Sequence, residues 1–322
     1  MVFPLSPTQE KLLQLLHFQG RLNLLRWPVI RPRTMLPYEK WFLNEYGAHF
    51  TSLGVATAER CLGELGSYGL VEEDSRSNFR LTPRGSKLAY ILAEYTKQVT
   101  LRDLSGFIDV NRLFDGMPNR PGLLDVGCGG GASLAAINRY MCGEKHPTLI
   151  GLDREYQNLS FGKKIINSVF TDGETSPRIS FIQADAHGLP FRNDSFHIVY
   201  VRGTFHLINR KFFLAEACRV LRPKGRLLII IPSYKYFIKF FFDSLRARRI
   251  SNAALAFFSI LNGLWLRSTG KQWRIKSTWS YGDTARSLMA TLRKSGFRVL
   301  RCDYRKGPFS VSPIVAIAEK RC

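Results

Sequence analysis

The 322-residue sequence predicts an α/β chain, a doubly wound and mostly parallel sheet behind a smaller helical unit. Three observations predict it. Apolar runs of strand length recur at residues 123–126, 148–153, 179–184, 195–201 and 226–231, each joined to the next by a connection long enough for a helix, as parallel strands require. The first run closes in Asp125-Val126-Gly127-Cys128-Gly129-Gly130-Gly131, a burst of glycine leading into a helix-compatible stretch over 132–140. The second and third runs end in acidic residues, Asp153 and Asp185, at the strand ends where such sheets gather ligand-binding groups.

The composition is that of a chain able to bury a full core, with 45% hydrophobic residues. Lys plus Arg number 47 against 25 Asp plus Glu, giving a net charge of +22 that favours anionic partners over a bare solvated surface. Six cysteines at 61, 128, 142, 218, 302 and 322 show no metal-ligand spacing. They are read as reduced, which fits a cytoplasmic compartment and no metal site. No basic-then-apolar signal opens the sequence, and no stretch reaches the roughly 18 apolar residues of a membrane span. The nearest approach, residues 253–266, is interrupted by Ser259, Asn262 and Gly263.

Taken in order, residues 1–99 form a first domain. Ser6-Pro7-Thr8-Gln9-Glu10 reads as an N-cap with proline at the first helical position, ahead of an apolar stripe of Leu12, Leu13, Leu15 and Leu16. Further helices are expected over 37–45 and 57–65, then a hairpin from 70–73 and 79–81, then a helix opened by Thr82-Pro83. The run "LGELGSYGLVEE", the hairpin and "RLTPRGSKLAYIL" resemble a winged helix-turn-helix domain of bacterial and archaeal regulators. Glu59 and Glu64 beside Arg60 on the would-be recognition helix argue against phosphate contact. A substrate-capping or homodimerising module is therefore favoured over one that binds nucleic acid. An amphipathic segment over 101–117 predicts a linking helix, broken by Pro118-Asn119-Arg120-Pro121-Gly122.

The second domain, residues 100–322, carries the chemistry. "LLDVGCGGG", "LIGLDRE", "IQADAHGLPFRNDSFHIVY" and "EACRVLRPKGRLLIIIPS" resemble the successive motifs of class I S-adenosylmethionine-dependent methyltransferases, with ubiquinone and menaquinone methyltransferases nearest in character. The resemblance implies a Rossmann-like seven-stranded sheet and S-adenosylmethionine as cofactor. It implies that Asp125 meets the methionine ammonium, and that Gly127, Cys128, Gly129 and Gly131 form the loop that approaches the cofactor. Asp153 would accept the ribose hydroxyls with Arg154 flanking the adenine, and Asp185 and Ala186 would face the adenine ring. Arg202 and Gly203 would line the methionine and substrate side. Two departures bear on substrate preference: His197 stands where the family has Asp, and Arg202 where it has small or polar residues. Methyl transfer from a sulfonium needs alignment more than acid or base chemistry. His206, in "GTFHLI", is the candidate base, set against an equal reading as a packing or hydrogen-bonded histidine.

Residues 233–280 form an insertion rich in aromatics and in Lys and Arg, in which Asp243 is the only acid. A lid over a small hydrophobic or aromatic substrate, or a peripheral membrane contact, fits the clusters "FIKFFF" and "LAFFSILNGLWL" better than a plain core, and a core better than an RNA surface. A helix over 281–296 and strands over 297–302 and 312–318 close the chain.

Overall fold

The computed structural model describes residues 5–19, 22–23, 53–100, 104, 107–109, 112–140, 146–169, 179–246, 248–275, 279–305 and 313–321. The helix expected over 37–45 lies outside them. In the N-terminal part, α1 (Pro7–Gln19) begins with a capping box: the Ser6 amide donates to Gln9 Oε1 and the Gln9 amide to Ser6 Oγ. Strand β1 (Leu22–Asn23) joins the hairpin of β2 (Val71–Glu73) and β3 (Asn78–Leu81) in an antiparallel sheet of order β1-β3-β2. Between them lies α2 (Val55–Ser67), and after the hairpin comes α3 (Pro83–Tyr95), whose cap Thr82 accepts from the Gly85 amide through Oγ1. The backbone continues from α3 into a single π-type turn, Thr96–Thr100.

Among the described residues between 104 and 117, Phe107 and Ile108 both donate to the Leu104 carbonyl, and Arg112 to Asp109 and Met117 to Phe114 in i→i+3 turns. Over the described residues 112–117 this corrects the expected α-helix over 101–117 to a succession of turns. Its apolar residues Leu104, Phe107, Ile108, Leu113 and Phe114 are buried as expected, so burial drove the amphipathic pattern without a regular helix.

The main sheet has seven strands: β4 (Gly122–Val126), β5 (Thr148–Asp153), β6 (Ile179–Gln183), β7 (Phe196–Arg202), β8 (Leu221–Ile231), β9 (Phe297–Tyr304) and β10 (Ile314–Lys320). Their order is β6-β5-β4-β7-β8-β10-β9, with β10 antiparallel to both neighbours and the first five parallel. The parallel strands are joined through α4 (Ala132–Tyr140), α5 (Tyr156–Val169) and α6 (Arg210–Val220). The chain then forms a helical hairpin, α7 (Tyr234–Arg246) and α8 (Ile250–Thr269), and ends in α9 (Ala285–Lys294) before the antiparallel pair. Helix α9 starts later than expected because Thr284 caps it, its Oγ1 accepting from the Ser287 amide.

Side-chain alternation divides the sheet into two faces. Leu123, Ile198, Tyr200, Leu228 and Val315 join a core that runs through α4 and α5 into α1, α2 and α3. Leu124, Val126, Val199, Leu227 and Ala316 join the other core, under α6 and α9. The N-terminal helices therefore share one continuous core with the sheet. One of the closest backbone approaches is at the glycine turn. A Cβ on Gly162 of α5 would sit 2.1 Å from the Gly130 carbonyl oxygen, a contact with backbone that no side-chain rotation relieves. Gly162→Ala is expected to cost about 1–3 kcal/mol, and to lower the thermal unfolding midpoint by at least several degrees. Differential scanning calorimetry on the purified variant checks this.

Candidate functional site

The site is built where β4, β5, β6 and β7 end. After Val126 the chain leaves the sheet with Gly127, Gly129 and Gly131 all at positive φ. At Gly127 the requirement is double: φ is +73°, and a Cβ there would lie 2.3 Å from Thr204 Oγ1. The amides of Gly127 and Cys128 both donate to the Leu152 carbonyl, at 2.7 and 3.0 Å. The Gly129 amide donates to Asp153 Oδ2 at 2.8 Å, while Asp153 Oδ1 accepts from the Glu155 amide ahead of α5. Asp153 thus ties the turn to the start of a helix, and its carboxylate retains further lone pairs for a ligand. From the N-terminal part, the Tyr95 hydroxyl donates to the Gly130 carbonyl at 2.8 Å, and burial holds that phenol protonated.

Two cavities meet at this turn and share Gly127, Thr204 and Leu207. The first, of about 490 Å³, is lined by Asp125, Gly127, Cys128, Gly129, Arg202, Gly203 and His206. The second, of about 630 Å³, is lined by Asp153, Arg154, Asp185, Ala186 and His187. Of the residues that the resemblance assigns to the cofactor, and His206, Gly131 alone lines neither, and it turns the chain into α4.

The electrostatics of the first cavity centre on Asp125. Its side chain is 2% exposed at the end of β4, and burial pushes its carboxyl up to about 8, against the opposing pull of Arg202. Burial likewise lifts the Cys128 thiol well above its ordinary value, so it is no thiolate nucleophile. Arg202 also lies 5.8 Å over the Phe107 ring. His206 is buried with Nδ1 free of any hydrogen bond, and burial lowers its imidazole to about 4, so it is neutral at physiological pH. The Phe237 ring of α7 stands 5.8 Å away, and the His206 carbonyl accepts from the Tyr281 amide.

In the second cavity Asp185 Oδ1 accepts from both the amide and Nδ1 of His187, while the Asn209 amide donates to His187 Nε2. The proton therefore sits on Nδ1, and these bonds outweigh burial to hold the Asp185 carboxyl below its usual range. His197 lies elsewhere: its Nδ1 accepts from the Gly122 amide where β4 begins, a structural role remote from the glycine turn.

Sequence reasoning missed the contribution of α3. Tyr90, Glu94 and Lys97 line the first cavity, and Lys97 Nζ donates to Glu94 Oε1 at 2.6 Å. Burial alone would raise the Glu94 carboxyl; Lys97, Arg202 and His17 together bring it below its usual value. Tyr90 and Glu94 share one face of α3, but the helix carries other polar residues, Arg84, Ser86 and Lys87, so spacing alone does not single them out.

Residues 124–229, about a third of the chain, match the family model described as a methyltransferase domain. Among curated proteins, the phthiotriol/phenolphthiotriol dimycocerosates methyltransferase 1 of Mycobacterium ulcerans is 28% identical over 55% of this chain and 66% of that protein. A fatty-acid O-methyltransferase of Mycolicibacterium smegmatis is 33% identical over 33% of this chain and 35% of that protein. A solved SAM-dependent methyltransferase from Methanosarcina mazei is 18% identical, with a TM-score of 0.43, over 64% of this chain and 94% of that one. The chain thus spans from about a third to just under two thirds of the length of these two curated relatives. Residues 124–229 thus match a methyltransferase domain, the class that the sequence motifs resemble.

S-adenosylmethionine is the cofactor of that class, and the residues present fit it. A carboxyl that burial pushes up to about 8, lining one cavity with the glycine turn, suits the ammonium of an amino acid, whose charge would offset that burial. Because the folded value of Asp125 lies above the unfolded one, its contribution to ligand-free stability falls as pH rises from about 4 to about 8. The loss is at most about 1.4 kcal/mol per pH unit. Asp125→Asn is expected to remove this component. The difference in melting temperature between variant and wild type should grow from pH 5 to pH 8 and then level off, in thermal scans without ligand.

Proposed function

We propose that the protein transfers a methyl group from S-adenosylmethionine to a small hydrophobic or aromatic acceptor held beneath α7 and α8. One observation carries this reading: the cavity that holds Asp125 and the glycine turn runs on, without a wall, to His206 and the aromatic side chains Tyr236, Phe237 and Phe240. The Tyr236 and Phe240 rings stack at 5.7 Å with an 11° interplanar angle, presenting flat apolar surface to an acceptor. The relative named for a fatty acid supports the same class of acceptor.

When bound, the cofactor supplies an activated methyl on a sulfonium, and the protein's work is to bind, align and exclude water. Asp125 would hold the ammonium, with Arg202 and Gly203 along the methionine portion. Asp153 would take the ribose hydroxyls, while Arg154, Asp185 and Ala186 border the adenine. In this arrangement Asp185 keeps Oδ2 for the ligand, because His187 occupies Oδ1. His206 offers its unpartnered Nδ1 to the hydroxyl of the acceptor. An imidazole titrating near 4 orients that hydroxyl by accepting its hydrogen bond and is too weak a base to ionise it beforehand.

We read the N-terminal part, in which a helix, a strand, a helix and a hairpin follow one another among the described residues, as a winged-helix-like cap that braces the glycine turn through Tyr95. Exposed Glu59 and Glu64 on α2 weigh against a role on nucleic acid.

Affinity for S-adenosylhomocysteine is expected to rise between pH 6 and pH 8 as Asp125 gives up its proton, and to flatten above. Calorimetric titration in two buffers of different ionisation enthalpy should register the released proton, and Asp125→Asn should weaken binding at least tenfold and abolish the release. For the acceptor, label from methyl-tritiated S-adenosylmethionine should enter an organic-extractable fraction. Label recovered only in added RNA or DNA would overturn the reading. His206→Ala is expected to lower kcat by about 10²-fold, with S-adenosylhomocysteine binding unchanged.

A further inference from the structure

Helix α8 is folded inside out. Its buried face is small and polar: Ala253, Ala256, Ser259, Asn262 and Gly263, with Leu266. Those polar groups are satisfied. Ser259 Oγ lies 2.6 Å from Ser280 Oγ, and Asn262 exchanges hydrogen bonds with the backbone of Trp273 and donates to the Ser280 carbonyl. The outward positions are apolar: Ile250, Phe257, Leu261 and Leu264 follow one another at intervals of seven, four and three, the spacing of one helical stripe. Ile250 is 69% exposed and Phe257 50%.

Helix α7 adds a second stripe, Ile238, Phe242 and Leu245, at intervals of four and three. The two stripes meet through aromatic contacts, Phe241 lying 5.3 Å from Phe242 and 5.9 Å from Phe257. An exposed apolar patch of this breadth is uncommon on a chain that has no partner.

Charge identifies what covers it. Lys235, Lys239 and Arg246 are exposed on α7, and Arg248 is exposed at the turn of the hairpin. Lys271 and Arg274 are exposed just beyond the other end of α8. Asp243 is the only acid in residues 233–280, and it is already paired with Lys239 and Arg246. No helix among the described residues is long and apolar enough to cross a membrane. An apolar stripe bordered by cations matches the boundary of an anionic bilayer, where apolar side chains enter the acyl region and cations meet headgroup phosphates.

We infer that the α7–α8 hairpin is a membrane-docking surface, seating Ile250, Phe257, Leu261 and Leu264 in the interface of an anionic phospholipid bilayer. The inference rests on the exposed face and its charge, and stands whether or not methyl transfer is the activity. The two helices also line the first cavity through Phe240 and Leu255, so docking sets that cavity beside the bilayer.

Flotation of the full-length protein with vesicles tests it. Vesicles of phosphatidylcholine with 30% phosphatidylglycerol are compared with pure phosphatidylcholine at physiological salt. Wild type should float with the anionic vesicles and at least tenfold less with the neutral ones. Phe257→Asp with Leu264→Asp, and separately Lys235→Glu with Arg248→Glu, should each cut binding at least tenfold, while circular dichroism and S-adenosylhomocysteine binding stay as in wild type. Two results would overturn the inference. One is wild type left unbound by anionic vesicles, including the case where size exclusion shows a dimer that Leu264→Asp dissociates, which assigns the face to a second copy. The other is vesicle binding that survives the aspartate pair, which reduces it to nonspecific attraction by the +22 charge.

Discussion

Everything at the ligand end of the sheet depends on holding the turn from Gly127 to Gly131 in a conformation that an isolated peptide would rarely adopt. Three of its residues sit at positive φ, and four separate groups fix them: the Leu152 carbonyl, the Asp153 carboxylate, the Tyr95 hydroxyl and the close face of Gly162. They come from three parts of the chain: the end of β5, helix α5 and helix α3. The ordering cost of the turn is thus met during folding and not during ligand binding, which is what preorganisation of a binding loop means in energetic terms. It also explains why the N-terminal helices share a core with the sheet. Tyr95 reaches Gly130 only if α3 lies against α4 and α5.

The same packing sets the charge balance of the first cavity. Glu94 and Lys97 arrive with the N-terminal part, Asp125 with the first parallel strand and Arg202 with the fourth. In a partly buried site, each charge acts on the others more strongly than in bulk water. Glu94, paired with Lys97 and near Arg202, remains a carboxylate, while Asp125 at the floor does not. The cavity is therefore left short of one cation at a defined place, a sharper statement of specificity than the cavity's shape gives.

Much of this was legible in the sequence wherever local pattern and tertiary role coincide. The strand over 148–153 and the helix over 132–140 have the predicted boundaries because an apolar run closed by a breaker is both the local signal and the buried element. The acidic ends of β5 and β6 follow from the strand boundaries. The stretch after residue 100 was misread because its apolar residues are spaced like a helix face yet are buried by a succession of turns, and periodicity reports burial before it reports backbone. The roles of Tyr90, Glu94 and Tyr95 were hidden for a different reason. They act on a turn some 35 residues further along, and no local rule links a helix to a loop that it meets only in the folded core. His187 was passed over because its partner Asp185 was already assigned to the ligand, although a histidine two residues past a carboxylate is well placed to bond it.

The insertion between β8 and α9 shows how polar interior groups can be used to organise a site. Ser259 and Asn262 interrupt the apolar run of α8, and their hydrogen bonds hold Trp273 and Ser280 against it. Ser280 leads into Tyr281, whose amide donates to the His206 carbonyl and whose hydroxyl donates to the Phe205 carbonyl. Asp283 then accepts from the Tyr234 amide through its own carbonyl, closing the path back to the start of α7. The hairpin and the short turn carrying His206 are thereby one hydrogen-bonded unit. Burying the polar face of α8 satisfies the backbone beneath it and leaves the apolar face outward. The geometry that orients His206 is the same geometry that exposes the stripe from Ile250 to Leu264.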